Sequence, residues 1–340
     1  MHARTDVSVK LLFKASEQSE FSFVETMTSD RINIDQPLWD QSSFTGRFQY
    51  FSWMSNPMNG LVGNQTLLEA KQLLQAYREG KEPPGTTESQ VDTYNICSMI
   101  FLVLILKVVR AMQLYKSAFH PDSGELQNVF GRMSFQVPGG MLITGAMLQF
   151  YRTTPQVVFW QWFNQSFNAL VNYTNRNASV EADFKQLGTA YFSATFSALG
   201  TAIGLKAALA KSSSPLLQRF VPFAAVAAAN CVNIPLMRQQ EILEGMNLTD
   251  EDGEVACYSR TCAVDGISKV VASRISMAAP GMFALPVIME RMERMAWFRA
   301  RPALHAPFQV LGVGVFLLFM VPAACSIWPQ NISITSEKLK

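Results

Sequence analysis

The chain is poor in charge for its length and lacks the motifs typical of soluble enzymes. Only 16% of its 340 residues are charged and 49% are hydrophobic, whereas about a quarter of the residues in a soluble domain are charged. A net charge of +2 without any Lys/Arg-dense stretch gives no support to nucleic-acid binding. The motifs G-x-G-x-x-G, P-loop and G-x-S-x-G are absent, so we expect no enzyme activity and no cofactor.

Cysteine and histidine are also scarce, and neither forms a metal-binding pattern. The five cysteines include no C-x-x-C pair, which argues against a disulfide framework or a zinc site. The segment 120–125, His-Pro-Asp-Ser-Gly-Glu, holds one histidine and two carboxylates. Catalytic zinc usually has three protein ligands, and Pro-Asp-Ser-Gly is an ordinary turn sequence. We predict a turn at 120–125 and no metal site.

Long apolar segments dominate the chain beyond residue 135. A helix that crosses a bilayer needs about 20 apolar residues, and several of these segments reach that length. We predict an all-α, multi-pass membrane protein with about four to six spans, several of them broken by proline. The first segment is short and could form a helical hairpin with the second. The segments are 137–151, 156–173, 187–210, 220–237, 266–289 and 306–328.

The composition also divides the chain into regions. Residues 32–92 are polar and rich in aromatics, and we predict a soluble or interfacial region there. Its Trp and Tyr side chains either lie at the water–lipid interface or form the aromatic core of a small helical cap. In 188–208, Gly and Ala recur at a spacing near four, which favours close helix packing. The proposed boundaries are 1–31, 32–92, 93–109, 110–330 and 331–340.

Carboxamides form a stripe on one side of the segment 156–173. Wound as an α-helix at about 100° per residue, the segment places them within an arc of about 80–100°. Large aromatic and aliphatic side chains occupy the rest of the circumference, and the segment carries no charge. Such a helix has lipid or other helices on one side and something polar but uncharged on the other. The stripe consists of Gln161, Asn164, Gln165, Asn168 and Asn172.

Two further segments combine polar residues with proline. Asn230 and Asn233 lie one helical turn apart beside Pro235, and Arg274 precedes Pro280. Proline donates no backbone hydrogen bond and frees a carbonyl, so we predict helix breaks at Pro235 and Pro280. Breaks of this kind line the substrate sites of many transporters. The alternative is an ordinary kink that a neighbouring helix satisfies.

Arg274 is a charged side chain inside a predicted span. A cation in lipid is costly unless it is paired. It should therefore meet a carboxylate, the carbonyl end of a helix or an anionic group of a substrate. Alternatively, the span begins later and the side chain extends to the interface.

Long, specific motifs occur at 120–125, 131–134, 136–141, 154–155, 159–162, 164–169, 172–176, 221–231, 233–239, 273–275, 279–282, 285–291 and 305–307. Together they resemble one family, the sideroflexins. The resemblance runs from about Ile32 to Gln330, and motifs of this length are highly specific. Three of the stretches, 136–141, 285–291 and 305–307, are most similar to the sideroflexin-2 branch. Residues 93–109 look like an insertion relative to the family, and residues 1–31 resemble nothing in it.

The resemblance implies a multi-pass protein of the mitochondrial inner membrane, surrounded by mitochondrial lipid. It implies that the protein moves serine, with other small neutral amino acids as further candidates. It also implies links to one-carbon metabolism and to mitochondrial iron and haem homeostasis. The family assigns no substrate residues that can be carried over, so the candidate site rests on the helix geometry, and the oligomeric state stays open.

Two rival hypotheses remain at this point. In a non-transporting scaffold, the amides would be interhelical contacts, each worth about 0.6–2 kcal/mol. In an anion carrier, for example of citrate, Arg274 would bind the cargo. The scarcity of other cations inside the spans argues against the carrier of anions.

Overall fold

A computed structural model describes residues 32–81, 97–121, 123–175, 184–209, 218–249 and 255–330. The proposed extension 1–31, residues 93–96 of the apparent insertion and the tail 331–340 lie outside these residues. The description therefore covers most of the predicted N-terminal region and nearly all of the predicted membrane domain.

The N-terminal region forms a helical cap. Its helices are α1 (Phe44–Met54), α2 (Asn64–Arg78) and α3 (Cys97–Ala118). The Ser43 side chain accepts a hydrogen bond from the Gly46 amide and so caps the start of α1. Leu67 of α2 and Met112 of α3 are almost fully buried in the core between these helices. Most of the predicted insertion 93–109 is therefore the first half of α3, and the proposed boundary at residue 110 falls inside a helix.

Aromatic side chains pack inside this cap. Trp39 and Trp53 meet edge to face at 5.6 Å, and the Tyr50 and Phe51 side chains are buried. These four side chains therefore form the aromatic core of a small helical cap, which is one of the two arrangements considered for the aromatic residues.

A turn follows α3, as expected. The Gly124 amide donates to the His120 carbonyl, and the His120 amide donates to the Glu125 carbonyl, both at 2.9 Å. Gly124 has a φ of +64°, a backbone conformation that glycine adopts without strain. The segment 120–125 thus closes a tight connection that leads to two short 3₁₀ helices, Val129–Gly131 and Met133–Phe135.

The rest of the described chain is mainly six long helices. Two short helices, α8 (Gln239–Glu244) and α10 (Ala296–Arg299), lie in the connections. So does an antiparallel hairpin, β1 (Met246–Thr249) and β2 (Val255–Ser259), which the sequence patterns did not indicate. The long helices are α4 (Gln136–Phe150), α5 (Thr154–Thr174), α6 (Phe184–Leu209), α7 (Val221–Met237), α9 (Arg260–Arg294) and α11 (His305–Ser326).

Three helices in the described residues are long and apolar enough to cross a membrane. They lie at Lys185–Leu209, Arg260–Arg294 and Pro302–Ser326, and α7 is apolar but shorter. The predicted all-α membrane fold is confirmed. α5 has the length of a span, but its amides reduce its apolar character, as expected for a helix with one polar side.

The six long helices contact one another in a closed circuit. Helix α4 packs on α5, α5 on α6, α6 on α7, α7 on α9, α9 on α11, and α11 again on α4. The cap joins this circuit through α1, which packs on α11. A closed circuit gives each helix an inner side, where polar side chains can be kept away from lipid.

Close packing was expected of both the glycines and the alanines of α6, but the structure shows it only for the alanines. Ala190, Ala194, Ala198 and Ala202 are fully buried at a spacing of four and form its packing face. A Cβ atom at Gly188, Gly200 or Gly204 would meet nothing within 4 Å. The alanines therefore provide the close approach, whereas these glycines do not.

Candidate solute path

The amide stripe of α5 lies on the buried side of that helix. Gln161, Gln165 and Asn164 are 0%, 3% and 8% exposed, and Asn168 and Asn172 are half-buried. Large apolar side chains of the same helix are exposed on the rest of its circumference: Phe159, Trp162, Phe163 and Leu170. The amphipathic pattern is therefore reversed relative to a soluble helix, as expected for a helix with a lipid-facing apolar side.

α5 begins with a strong local signal. Thr153 and Gln156 form a capping box, in which the Gln156 side chain accepts from the Thr153 amide at 3.0 Å. Pro155 occupies the first turn, where the lack of an N–H group costs nothing. This start fixes the phase of the helix and therefore the direction in which the amide stripe faces.

The stripe amides make almost no hydrogen bonds within the protein. In the part of the chain that the structure describes, only Gln161 is bonded, through Nε2 to the Tyr151 hydroxyl at 2.7 Å. Gln161 Oε1 and Asn164 Nδ2 are buried without a partner. Buried polar groups in proteins are nearly always paired, so unpaired amides at this depth indicate a place where a ligand or water binds.

Exposure changes along the stripe in one direction. The N-terminal end is buried beside a compact apolar cluster, made of Val157, Ala202, Val221 and Ala225 from α5, α6 and α7. The C-terminal end, at Asn168 and Asn172, is half-buried. The polar interior is therefore closed by apolar side chains at one end and more accessible at the other.

Helix α7 adds the two further amides that the sequence indicated. Asn233 is 6% exposed and Asn230 is half-buried, and neither side chain is hydrogen-bonded within the described residues. Nearby, Gln186 of α6 donates to the carbonyls of Leu236 and Met237 at 3.0 and 3.3 Å. Gln186 thus satisfies the carbonyls at the end of α7 and leaves both asparagines free.

The two prolines do not break their helices. α7 continues through Pro235 to Met237, and α9 continues through Pro280 and Pro286 to Arg294. The predicted breaks are thus corrected to helix-internal prolines. Because proline lacks an N–H group, the carbonyls of Cys231 and Ser276 still lose their helical partners. Both carbonyls can accept a hydrogen bond from something else.

Arg274 lies in the middle of α9 without a counterion. It is the one charged residue between Lys269 and Glu290, and within the described ranges it forms neither an ion pair nor a hydrogen bond. By contrast, Lys269 is paired with Asp265 at 2.5 Å, and Arg219 is paired with Glu293 at 2.7 Å. The guanidinium of Arg274 therefore has no carboxylate partner among the described residues.

The sequence patterns missed two residues of this interior. Tyr151, at the C-terminal end of α4, holds the Gln161 amide. Gln309 of α11 is 4% exposed, and its Oε1 has no partner. A signal for Gln309 existed, because it is the one amide in the apolar segment 306–328. No local signal distinguished Tyr151.

These features define a class of protein: a multi-helix membrane protein with neutral hydrogen-bonding groups inside its helix circuit. The family model for sideroflexins matches residues 33–340, and the chain belongs to the sideroflexin family. It is 54% identical to sideroflexin-2 of Drosophila melanogaster over 93% of this chain and 91% of the relative. It is 51% identical to sideroflexin-2 of Homo sapiens, over 91% of this chain and 90% of the relative. It is 49% identical to sideroflexin-1 of Homo sapiens, with the same coverage.

The comparisons confirm the resemblance to the sideroflexin-2 branch that the sequence motifs indicated. No solved structure matches the chain.

Proposed function

We propose that the protein carries serine, and other small neutral amino acids, across the mitochondrial inner membrane without covalent chemistry. The observation that carries this proposal is the amide stripe on the buried side of α5, in which Gln161 Oε1 and Asn164 Nδ2 have no partner among the described residues. A carboxamide both donates and accepts hydrogen bonds and has no fixed charge. Such groups bind a zwitterion but do not retain it as tightly as a full charge would.

Each part of the site has a role in this proposal. The amides of α5 bind the polar groups of the cargo, and Asn230 and Asn233 provide contacts from α7. Arg274 lies on α9 without a partner among the described residues and pairs with the cargo carboxylate. The mitochondrial location, and the links to one-carbon metabolism and to iron and haem homeostasis, are supported by the family resemblance alone.

The contacts of the amides argue against the scaffold hypothesis. Interhelical adhesion requires hydrogen bonds between helices. Asn164, Asn168, Asn172, Asn230 and Asn233 make none with any described residue, so they contribute no such adhesion.

The test is uptake by purified protein in proteoliposomes, with radiolabelled serine, alanine and citrate compared. We expect uptake of serine and alanine but not of citrate. The variant Asn168→Ala/Asn230→Ala should abolish serine uptake while it inserts and unfolds like the wild type. Gln149→Ala is the matched control, because Gln149 is half-buried and about 200° around α4 from the buried Met147.

Each outcome separates the hypotheses. Normal serine uptake by the double variant refutes the site. Loss of folding supports the scaffold, whereas citrate uptake that Arg274→Met abolishes supports the anion carrier. Fractionation of cells that express the tagged protein tests the location, and a signal outside mitochondria would contradict it.

A further inference from the structure

The least explained polar group in the interior is Gln309 of α11. Its side chain is 4% exposed, its Oε1 has no partner, and its amide is unbonded within the described residues. Burial of an amide without a hydrogen bond is unfavourable. A leucine at this position would avoid this cost.

The contacts of α11 place Gln309 on the inner side of the circuit. Val310 and Gly314 meet α4, at Gly145 and Met141. Gly312 and Phe316 meet α9, at Leu285 and Gly281. At 100° per residue, Gln309 falls on the shorter arc between these two faces. In a closed circuit, the shorter arc between two neighbours faces inward.

The same contacts place Gln309 close to the level of the buried end of the amide stripe. Helix α4 is antiparallel to both α5 and α11. Gly145 meets Val310, and Phe150 stacks on Trp160 at 6.1 Å. Gln309 is therefore level with about residue 146 of α4, and Gln161 with about residue 149. Three residues correspond to about 4.5 Å along the helix axis.

Tyr151 orients the facing amide. Because the Tyr151 hydroxyl accepts from Gln161 Nε2 at 2.7 Å, Gln161 Oε1 is left as a free acceptor. Asn164 Nδ2, one turn farther along α5, is a free donor. The unbonded amide atoms of α5 lie on one side of α4, and the Gln309 amide of α11 lies on its other side. Both sets of atoms face the same part of the interior.

We infer that Gln309 contacts the cargo, together with Gln161 and Asn164, in a small site closed by the apolar cluster of Val157 and its neighbours. This inference deepens the proposed function and rests on it. An α-amino acid has an ammonium that only donates and a carboxylate that only accepts. Amide oxygens at Gln161 and Gln309 bind the ammonium, while the Asn164 amide donates to the carboxylate. Arg274 pairs with the carboxylate at a different point of the path, because its neighbour Ser273 bonds to the Ala324 carbonyl, about 22 Å along α11 from Gln309. The cargo bridges α5 and α11, which are not neighbours in the helix circuit.

The test is Gln309→Leu, which keeps the approximate size of the side chain and removes its polar atoms. Loss of one hydrogen bond to a charged group should weaken serine affinity about 10- to 100-fold. The melting temperature in detergent should stay equal or rise, because an unpaired amide is removed. Gln309→Asn should retain part of the affinity. Gln149→Leu, the same change on α4, should bind and transport serine normally.

The outcomes separate this inference from the proposed function. Serine uptake by wild type and Gln309→Leu alike refutes the inference and leaves the proposed function standing; this is the result expected if Gln309 binds only a buried water. A clearly lower melting temperature with normal uptake per folded molecule shows a structural role and also refutes it. If the wild type takes up no serine or alanine, the proposed function fails and this inference fails with it.

Discussion

The cap and the helix circuit treat buried polar side chains in opposite ways. In the cap, Arg47 is 6% exposed and is bonded to three carbonyls. Its Nε donates to Ser326 at 2.9 Å, and its Nη1 donates to Gln41 and Ser42 at 2.8 Å. Arg132 is 3% exposed and donates to the Gln127 carbonyl at 3.1 Å. Both arginines are thus held in place by the fold.

In the circuit, most of the amides and the central arginine of α9 have no hydrogen bond to a described residue. Arg274 is unpaired in the described part of the chain, and so are most of the amides on α5 and α7. The cap also contains unpaired atoms in Gln41 and Asn59, each in an amide that is bonded through its other atom, as Gln161 is in the circuit. An unsatisfied buried group costs about 1–3 kcal/mol. Polar groups in the cap thus hold the fold together, whereas under the proposed function those in the circuit are left unbonded because they bind the cargo.

The largest difference between the two regions is expected in the melting temperature when one arginine is removed from each. Arg47→Met leaves three carbonyls without a donor, including that of Ser326 at the negative end of α11. Hydrogen bonds to a charged group contribute about 1.5–3 kcal/mol each, so the loss of all three should lower the stability by about 3–5 kcal/mol, measured as a large drop in the melting temperature in detergent. Arg274→Met should melt at or above the wild-type temperature and lose serine uptake. A lower melting temperature for Arg274→Met would show that a structural partner holds this arginine.

A smaller effect is expected when an amide is replaced in each region. Gln113 of α3 is buried and donates to the Trp53 carbonyl at 2.7 Å, so Gln113→Leu orphans that carbonyl. We expect a loss of about 1–3 kcal/mol and unchanged uptake per folded molecule. Asn164→Leu removes an unpaired amide and should not lower the melting temperature, while it reduces serine uptake. Equal destabilisation by both variants would contradict the division between cap and circuit.

The extent to which the site could be predicted follows the same division. Helical periodicity determines which side chains of one segment share a face, so the stripe from Gln161 to Asn172 was predictable. Periodicity does not determine which helix that face meets. The pairing of Gln161 with Tyr151, and the position of Gln309 beyond α4, depend on how antiparallel helices pack and therefore required the structure.

The fold was predictable to a similar degree. Hydropathy indicated the apolar helices and a polar, aromatic N-terminal region. It did not show that α3 continues through residue 110, because an apolar run of half a bilayer length is compatible with a buried cap helix as well as with an insertion. It also did not show that Ala194 packs while Gly200 does not, since the two differ only in which neighbour faces them.

The smallest expected effect concerns Lys116, a charged group in the cap that lies half-buried on α3. Burial lowers the pKa of its ammonium below the usual value, and the nearby Asp35 carboxylate offsets only part of this change. In the folded state the charged form is thus disfavoured, and at neutral pH it reduces stability. Lys116→Met should therefore raise the melting temperature slightly, by the equivalent of a few tenths to about 1 kcal/mol once solvent screening is allowed for.

The lowered pKa of Lys116 also makes its effect on the stability of the protein depend on pH. At pH values between the lowered pKa of folded Lys116 and its ordinary pKa of 10.5, the unfolded chain binds more protons than the folded chain. The stability contributed by this residue therefore increases with pH. The advantage of Lys116→Met over the wild type should be greatest near neutral pH and should shrink as the pH approaches 10.5. An advantage that grows with pH, or a loss of stability at neutral pH, would mean that the ammonium is paired in the same way as Arg47. Lys116 would then stabilise the cap, as Arg47 does.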